Sequence, residues 1–235
     1  MDLSLRSYEK ELLDRDDIPF EDIRRNMQEL DFINRWLGGH RITLQGLKPF
    51  LSSAKKQRKF SVCEVGCGGG DNLRVIKNYA KQKKLNVELT GIDINPHCIS
   101  FARNRPEMGE MNFICSDFRQ VSFSYKPHVI FSSLFCHHFA NEEVKNIFLW
   151  MKENSLFGFF MNDLHRHQLA YYSIKWLTKF FSKSYLVKND AALSVKRGFN
   201  KKELEECMQL AGLPNFQLKW KWAFRWLLVY KHSTK

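Results

Sequence analysis

Five short apolar runs recur through the middle of the chain: Phe60 to Val65, Val87 to Ile92, Asn112 to Cys115, His128 to Leu134 and Leu156 to Met161. Near-continuous apolar runs of this length fit strands buried on both faces, and helical patterns separate or follow them at Asp71 to Gln82, Pro96 to Asn104 and Asn141 to Glu153. Strand and helix in alternation leave few architectures, because parallel neighbours need a crossover that packs back on the sheet. The expectation is an α/β fold with a doubly wound, mostly parallel sheet. Its last part breaks the alternation. "NKKELEECMQLAGL", residues 200–213, has Asn200 as an N-cap with Glu203 three residues on, and it closes at Gly212 and Pro214. The strands that follow, Phe216 to Ala223 and Trp226 to Lys231, are too close for a crossover, so they should form an antiparallel pair at one edge of seven strands.

Two segments lie outside this alternation. Residues 1–50 contain Ile23, Met27, Leu30, Ile33 and Leu37 at helical spacing before Gly38 and Gly39 stop the stripe. They are expected to form an N-terminal helical cap, with residues 51–235 as the main domain. Residues 165–198, including "LAYYSIKWLTKFFSKSYL", are expected to be a helical lid insertion over the ligand edge, with Tyr172 and Trp176 facing an acceptor. The interleaved Lys175, Lys179 and Lys183 would also suit weak peripheral contact with a membrane surface. A hydrophobic content of 44% is ample for a core without staples. Six cysteines show no metal-ligand spacing and fit reduced thiols in a cytoplasmic protein, so no metal is expected. "MDLSLRSYEK" lacks the apolar core of a secretion signal. The net charge of +12 is spread over "KKQRK", "KQKK", "KRGFNKK" and "KWKWAFR", which read as solvated faces, and no obligate nucleic-acid partner is expected.

The stretch "FSVCEVGCGGGDNL" sets the chemistry. Gly66, Gly68, Gly69 and Gly70 occupy four of five positions directly after the first apolar run, although the chain has only twelve glycines. A strand that turns at glycines into a helix lets backbone approach a ligand and offers free N–H groups. The spacing is not that of the dinucleotide fingerprint G-x-G-x-x-G: here the pattern is E-x-G-x-G-x-G from Glu64 to Gly70, and Asp71 stands where that fingerprint wants glycine. "ELTGIDI" then ends near Asp93, whose carboxylate can accept from two ribose hydroxyls, "FICSDF" carries Asp117, and the fourth strand runs into "SSLFCHHF".

At this point the sequence resembles the class I S-adenosylmethionine-dependent methyltransferases of small-molecule type, over about residues 60–231. The resemblance implies a Rossmann-like sheet and S-adenosylmethionine as cofactor. It places Glu64, Gly66, Cys67, Gly68 and Gly70 along the methionine moiety, Asp93 and the adjoining Ile94 at the ribose, and Asp117 with Phe118 at the adenine. "MQELDFINRWLGGH" resembles the leader of small bacterial methyltransferases of this class, in which such a segment folds over the cofactor. Arg35, Gly38, Gly39 and His40 would then touch the methionine carboxylate or close the pocket; a helix packed for stability alone is an equal alternative.

The acceptor is read from the ends of the fourth and fifth strands. Methyltransferases that act on base amino groups carry an N-P-P-aromatic motif where this chain has "SSLFCHHF", so base methylation is disfavoured. Histidines suit a hydroxyl acceptor, because imidazole titrates near neutrality and can take the proton as oxygen attacks. His138 comes first and His165 second as catalytic bases, with His137, Asp163 and Arg166 on the acceptor side. The expected reaction is methylation of a small molecule at a hydroxyl of an aromatic, polyketide-like or quinone-precursor compound. A methyltransferase acting on RNA or protein through its basic surface is the alternative; a nicotinamide-dependent oxidoreductase is weakened by the glycine spacing and by the lack of a Tyr-x-x-x-Lys pattern. Oligomeric state stays open.

Overall fold

The structure, a computed structural model, describes residues 3–15 and 17–232. Seven strands form one sheet: β1 (Phe60–Val65), β2 (Val87–Asp93), β3 (Asn112–Cys115), β4 (Val129–Ser133), β5 (Gly158–Leu164), β6 (Phe216–Lys221) and β7 (Arg225–Lys231). Their order is β3-β2-β1-β4-β5-β7-β6, with β1 to β5 parallel and β7 antiparallel to both β5 and β6. The expected topology, including the antiparallel pair, is therefore present. β5 begins at Gly158, because Leu156 and Phe157 bond Pro127 and His128 in the connection beside β4.

Two hydrophobic layers sandwich the sheet, and the period of two along each strand assigns side chains to them. Val62 of β1, Phe131 of β4, Phe160 of β5 and Val229 of β7 point into one layer. Helix α2 (Gly39–Leu47) packs there so closely that a Cβ at Gly46 would lie 2.3 Å from the Phe160 ring. The same layer receives α3 (Leu51–Ala54) through Ala54, α4 (Asp71–Gln82) through Leu73 and Ile76, and α5 (Pro96–Arg103) through Ile99. Cys63, Ile130, Phe159 and Leu228 point the other way, onto α6 (Asn141–Asn154) and α9 (Lys201–Leu210). At α9 the capping box forms as the sequence implies: Asn200 Oδ1 accepts from the Glu203 N–H and Glu203 Oε2 accepts from the Asn200 N–H.

The two appended segments are helical; residues 23–37 of the first and much of 165–198 in the second border the carboxyl edge of the sheet, while α2 of the first covers its face. Helix α1 (Phe20–Trp36) ends one residue before the last apolar residue of its stripe, Leu37, which caps it; Gly38 then adopts φ +78° and turns the chain directly into α2, so the glycine pair redirects the helix rather than ending helical structure. Residues 165–198 form α7 (Gln168–Phe181) and α8 (Tyr185–Arg197). Among the described residues no helix is long and apolar enough to cross a membrane.

Candidate active site

At the carboxyl edge the structure holds a cavity of about 1000 Å³, walled by the glycine turn, by α1, by α7 and α8, and by the β6–β7 hairpin. Small-molecule sites occupy roughly 300–1,000 Å³, so this one has room for a cofactor and an acceptor together. The glycine turn makes the close approach geometrically. Gly66 has φ +68°, and a Cβ there would sit 2.1 Å from the Phe135 ring; Gly70 has φ +76° where the chain enters α4. Asp93 pins this turn from β2, its Oδ2 accepting from the Gly68 N–H at 2.8 Å and its Oδ1 from the Asn95 N–H at 2.9 Å. Burial raises the Asp93 carboxyl above the usual carboxylate range, against the pull of those two backbone donors. Each oxygen keeps a second lone pair for a further donor.

Glu64 ends almost fully buried below the turn. Its Oε1 accepts from Asn72 Nδ2 at 2.8 Å, and its Oε2 has no hydrogen-bond partner. Burial first, with Asp71 and Asp93 adding to it, holds this carboxyl well above its ordinary range against the Asn72 bond. A buried carboxylate with one oxygen unsatisfied is what an incoming cation would complete, so the site fits a ligand with an ammonium group near the turn. Glu64, Gly66, Cys67, Gly68, Asp93 and Ile94 all line the cavity; Gly70 stands behind it at the helix entry.

The turn after β4 carries the histidines. Leu134 adopts φ +54°, held by its N–H to Asn162 O, and the chain passes into a short 3-10 turn over Cys136–His138. His137 is buried between two carboxylates: Nδ1 lies 2.7 Å from Asp163 Oδ1, and Nε2 lies 3.5 Å from Glu11 Oε1. Burial works against its charge, but Asp163 and Glu11 outweigh burial and push His137 up to about 9, so it stays protonated at neutral pH. Its two partners are held below their ordinary range by the same contacts, again against burial. His138 is more open, 24% exposed at the side chain, with Nε2 3.9 Å from Glu11 Oε2, and it lines the cavity. Glu11, His137 and His138 offer three ligand atoms within 4.8 Å of one another and so could hold a cation, although the His137 imidazolium already stands between the two carboxylates there.

Several residues expected at the site stand elsewhere. His165 lies outside the cavity wall: its Nδ1 accepts from Trp220 Nε1 and its ring packs edge-on to Trp226. Burial, then His167 and Arg166, lower its pKa. Arg166 is consumed by structure, bonding both oxygens of Glu203 and the carbonyls of Leu3, Ser4 and Gly198. Asp163 serves His137 rather than a ligand. Asp117 caps the turn at Phe118 and is gripped by Arg119 at 2.6–3.0 Å, while Phe118 packs into the core against Phe135, Phe139 and Trp150; neither lines the cavity. Tyr172 and Trp176 are 47% and 55% exposed on the outer side of α7, whose inner side presents Ala170, Ser173, Ile174 and Leu177. Of the cap residues, His40 lines the cavity, bonded to Asp31 and Asn72; Arg35 lies in a shallower neighbouring groove, paired with Asp31.

Four positions that line the cavity escaped the sequence. Asn72 directly follows the glycine turn and Asp71, and could have been read as its partner. Glu11 arrives from an irregular segment with no periodicity, and Asn34 and Arg225 meet at the cavity wall only through the packing of α1 on the hairpin.

Residues 62–153 match the family model described as a methyltransferase domain. A comparison with curated proteins gives no match. Among solved structures, the plantazolicin methyltransferase BpumL in complex with SAH superposes with a TM-score of 0.60 at 22% identity, covering 88% of this chain and 74% of that one. Magnesium protoporphyrin IX methyltransferase from Synechocystis PCC 6803 with bound SAH gives 0.58 at 13% identity over 86% of this chain and 88% of that one. Human N-acetylserotonin methyltransferase in complex with SAM gives 0.63 at 15% identity over 92% of this chain and 57% of that one. The likeness establishes a shared fold.

Proposed function

We propose that this chain, which has the class I methyltransferase fold and a methyltransferase domain over residues 62–153, transfers a methyl group from S-adenosylmethionine to a hydroxyl of a small molecule. The observation that carries the reading is the sharing of one cavity by the glycine turn, Asp93, the unsatisfied Glu64 oxygen and the His138 imidazole. When bound, S-adenosylmethionine supplies an electrophilic methyl on a sulfonium sulfur. Glu64 would accept from the amino group, whose charge restores the ionised carboxylate, and the two oxygens of Asp93 would accept from the ribose hydroxyls while still fixing the turn.

His138 would take the acceptor proton as the oxygen attacks, and Glu11 beside it would stabilise the resulting imidazolium. His137, already cationic, is no base; it anchors the β4 turn through Asp163 and so aims its neighbour. The inner side of α7, with Ile174 and Leu177, closes an apolar wall that would exclude water from an aromatic or polyketide-like acceptor. Small-molecule chemistry is favoured over a macromolecular acceptor by the enclosure of the cavity behind α1, α7 and α8; of the basic clusters, those at residues 55–59 and 81–84 precede β1 and β2 at the sheet edge opposite the cavity, while that at residues 219–225 spans the hairpin that walls it. Incubation with S-adenosylmethionine and a panel of phenols and hydroxyquinones, read by mass spectrometry, tests the reading. Transfer to an oxygen supports it; products methylated only on nitrogen, or no S-adenosylmethionine binding by calorimetry, overturn it.

A further inference from the structure

Arg225, the first residue of β7, is a buried cation that no carboxylate among the described residues pairs with directly. It is 4% exposed and contributes to the cavity wall beside Asn34, His40, Glu64, Trp222 and Phe224. Its Nη2 donates to Asn34 Oδ1 at 2.7 Å, and a Cβ at Gly39 would come within 3.3 Å of its Cζ, which explains why the guanidinium fits there only over a glycine. Its Nη1 has no partner, and among the described residues Arg225 enters no ion pair. Burial lowers the guanidinium to about 10; Asp163 opposes this through its field, but that carboxylate is already clamped on His137. A buried charge without a counter-ion is strongly destabilising, and such groups persist where function requires them. Arg166, which the sequence places on the acceptor side, is saturated by Glu203 and three carbonyls, so it is not free to receive an anion.

We propose that Arg225 is the anion-recognition residue of this cavity and receives a carboxylate of a molecule bound there. The planar guanidinium fork matches a carboxylate, and arrival of the anion would satisfy Nη1 and supply the missing countercharge. Two molecules could bring that carboxylate, the amino-acid end of the cofactor or an acidic acceptor, and the assignment rests on the methyl-transfer reading of the cavity.

Calorimetry with S-adenosylhomocysteine and with 5′-methylthioadenosine, which lacks the amino-acid end, separates the two sources in Arg225→Gln and Arg225→Met. If the cofactor brings the carboxylate, S-adenosylhomocysteine affinity falls about 10- to 100-fold in both variants while 5′-methylthioadenosine binds as in wild type. If the acceptor brings it, both nucleosides bind as in wild type, and aromatic or alkyl carboxylates such as 4-hydroxybenzoate or decanoate raise the Tm of the wild-type S-adenosylhomocysteine complex but not that of Arg225→Gln. Unchanged S-adenosylhomocysteine affinity with no Arg225-dependent carboxylate effect overturns the proposal. The ligand-free Arg225→Met variant should melt at or above wild type, since an uncompensated buried cation has been removed. A Tm several degrees lower, with S-adenosylhomocysteine binding unaltered and no Arg225-dependent carboxylate effect, marks a purely structural arginine and likewise overturns it. Failure of wild type to bind either nucleoside sinks the methyl-transfer reading instead, so the two failures are distinguishable.

Discussion

Asp163→Asn isolates the charge that holds the β4 turn. Asp163 is fully buried; its Oδ1 sits 2.7 Å from His137 Nδ1 and accepts from the Leu164 N–H at 2.8 Å, and its Oδ2 accepts from the His137 N–H at 3.2 Å. An asparagine keeps the shape and one acceptor but leaves the imidazolium with Glu11 alone, 3.5 Å away. Breaking one side of a buried ion pair costs about 3–5 kcal/mol. At roughly 2–4 °C per kcal/mol for a domain of this size, Tm should fall by about 6–20 °C. The pH dependence has a definite sign. His137 is raised to about 9 when folded, so its stabilisation is complete below the unfolded histidine pKa of about 6.5 and disappears as pH rises through about 9. Asp163 and Glu11 are depressed, so theirs is present above the unfolded carboxylate range and disappears as pH falls through the folded values. Wild-type stability from this cluster should therefore peak between about pH 5 and 6.5 and decline with a slope of up to about 1.4 kcal/mol per unit toward pH 9. In Asp163→Asn that alkaline slope should flatten. Calorimetric melts across this range in both proteins make the comparison. A variant that melts within about 2 °C of wild type, with the alkaline slope intact, would refute the ion-pair account of His137.

The remaining predictions concern the cavity. His138→Ala should lower turnover by about 100-fold or more while leaving S-adenosylhomocysteine affinity near wild type, whereas His165→Ala, outside the cavity, should leave turnover within a few-fold; equal losses in steady-state assays would contradict the assignment of the base. Asp93→Asn should weaken S-adenosylhomocysteine by about 10-fold or more, because one ribose hydroxyl then faces a donor; titration showing unchanged affinity removes Asp93 from the site. Gly66→Ala should destabilise by about 2–4 kcal/mol in denaturant melts, combining positive φ with a clash on the Phe135 ring, and a loss below about 0.5 kcal/mol would show that the turn relaxes freely.

Local sequence determined the sheet and the cofactor-side turn. Short apolar runs, helical stripes and the Asn200 to Glu203 capping box each act over a few residues, so they specified elements whose bounds differ from those observed by a residue or two in most cases. The glycines of β1–α4 are legible for the same reason: their φ values and the proximity of the turn to Asp93 follow from a strand, a tight turn and a helix in succession. The acceptor side is different. Whether His138 or His165 reaches the cavity depends on how α7, α8 and the β6–β7 hairpin pack, and that packing gives His165 to Trp220 and Trp226. The sequence spaced Tyr172 and Trp176 on a stripe of α7 but could not say which stripe turns inward; Ala170, Ile174 and Leu177 do. Arg166 and Arg225 look alike as basic residues at strand ends, yet long-range contacts with Glu203 saturate one and a close fit over Gly39 leaves the other without a counter-ion. Partner choice for a buried charge depends on residues distant in the chain, so only the tertiary structure could decide it.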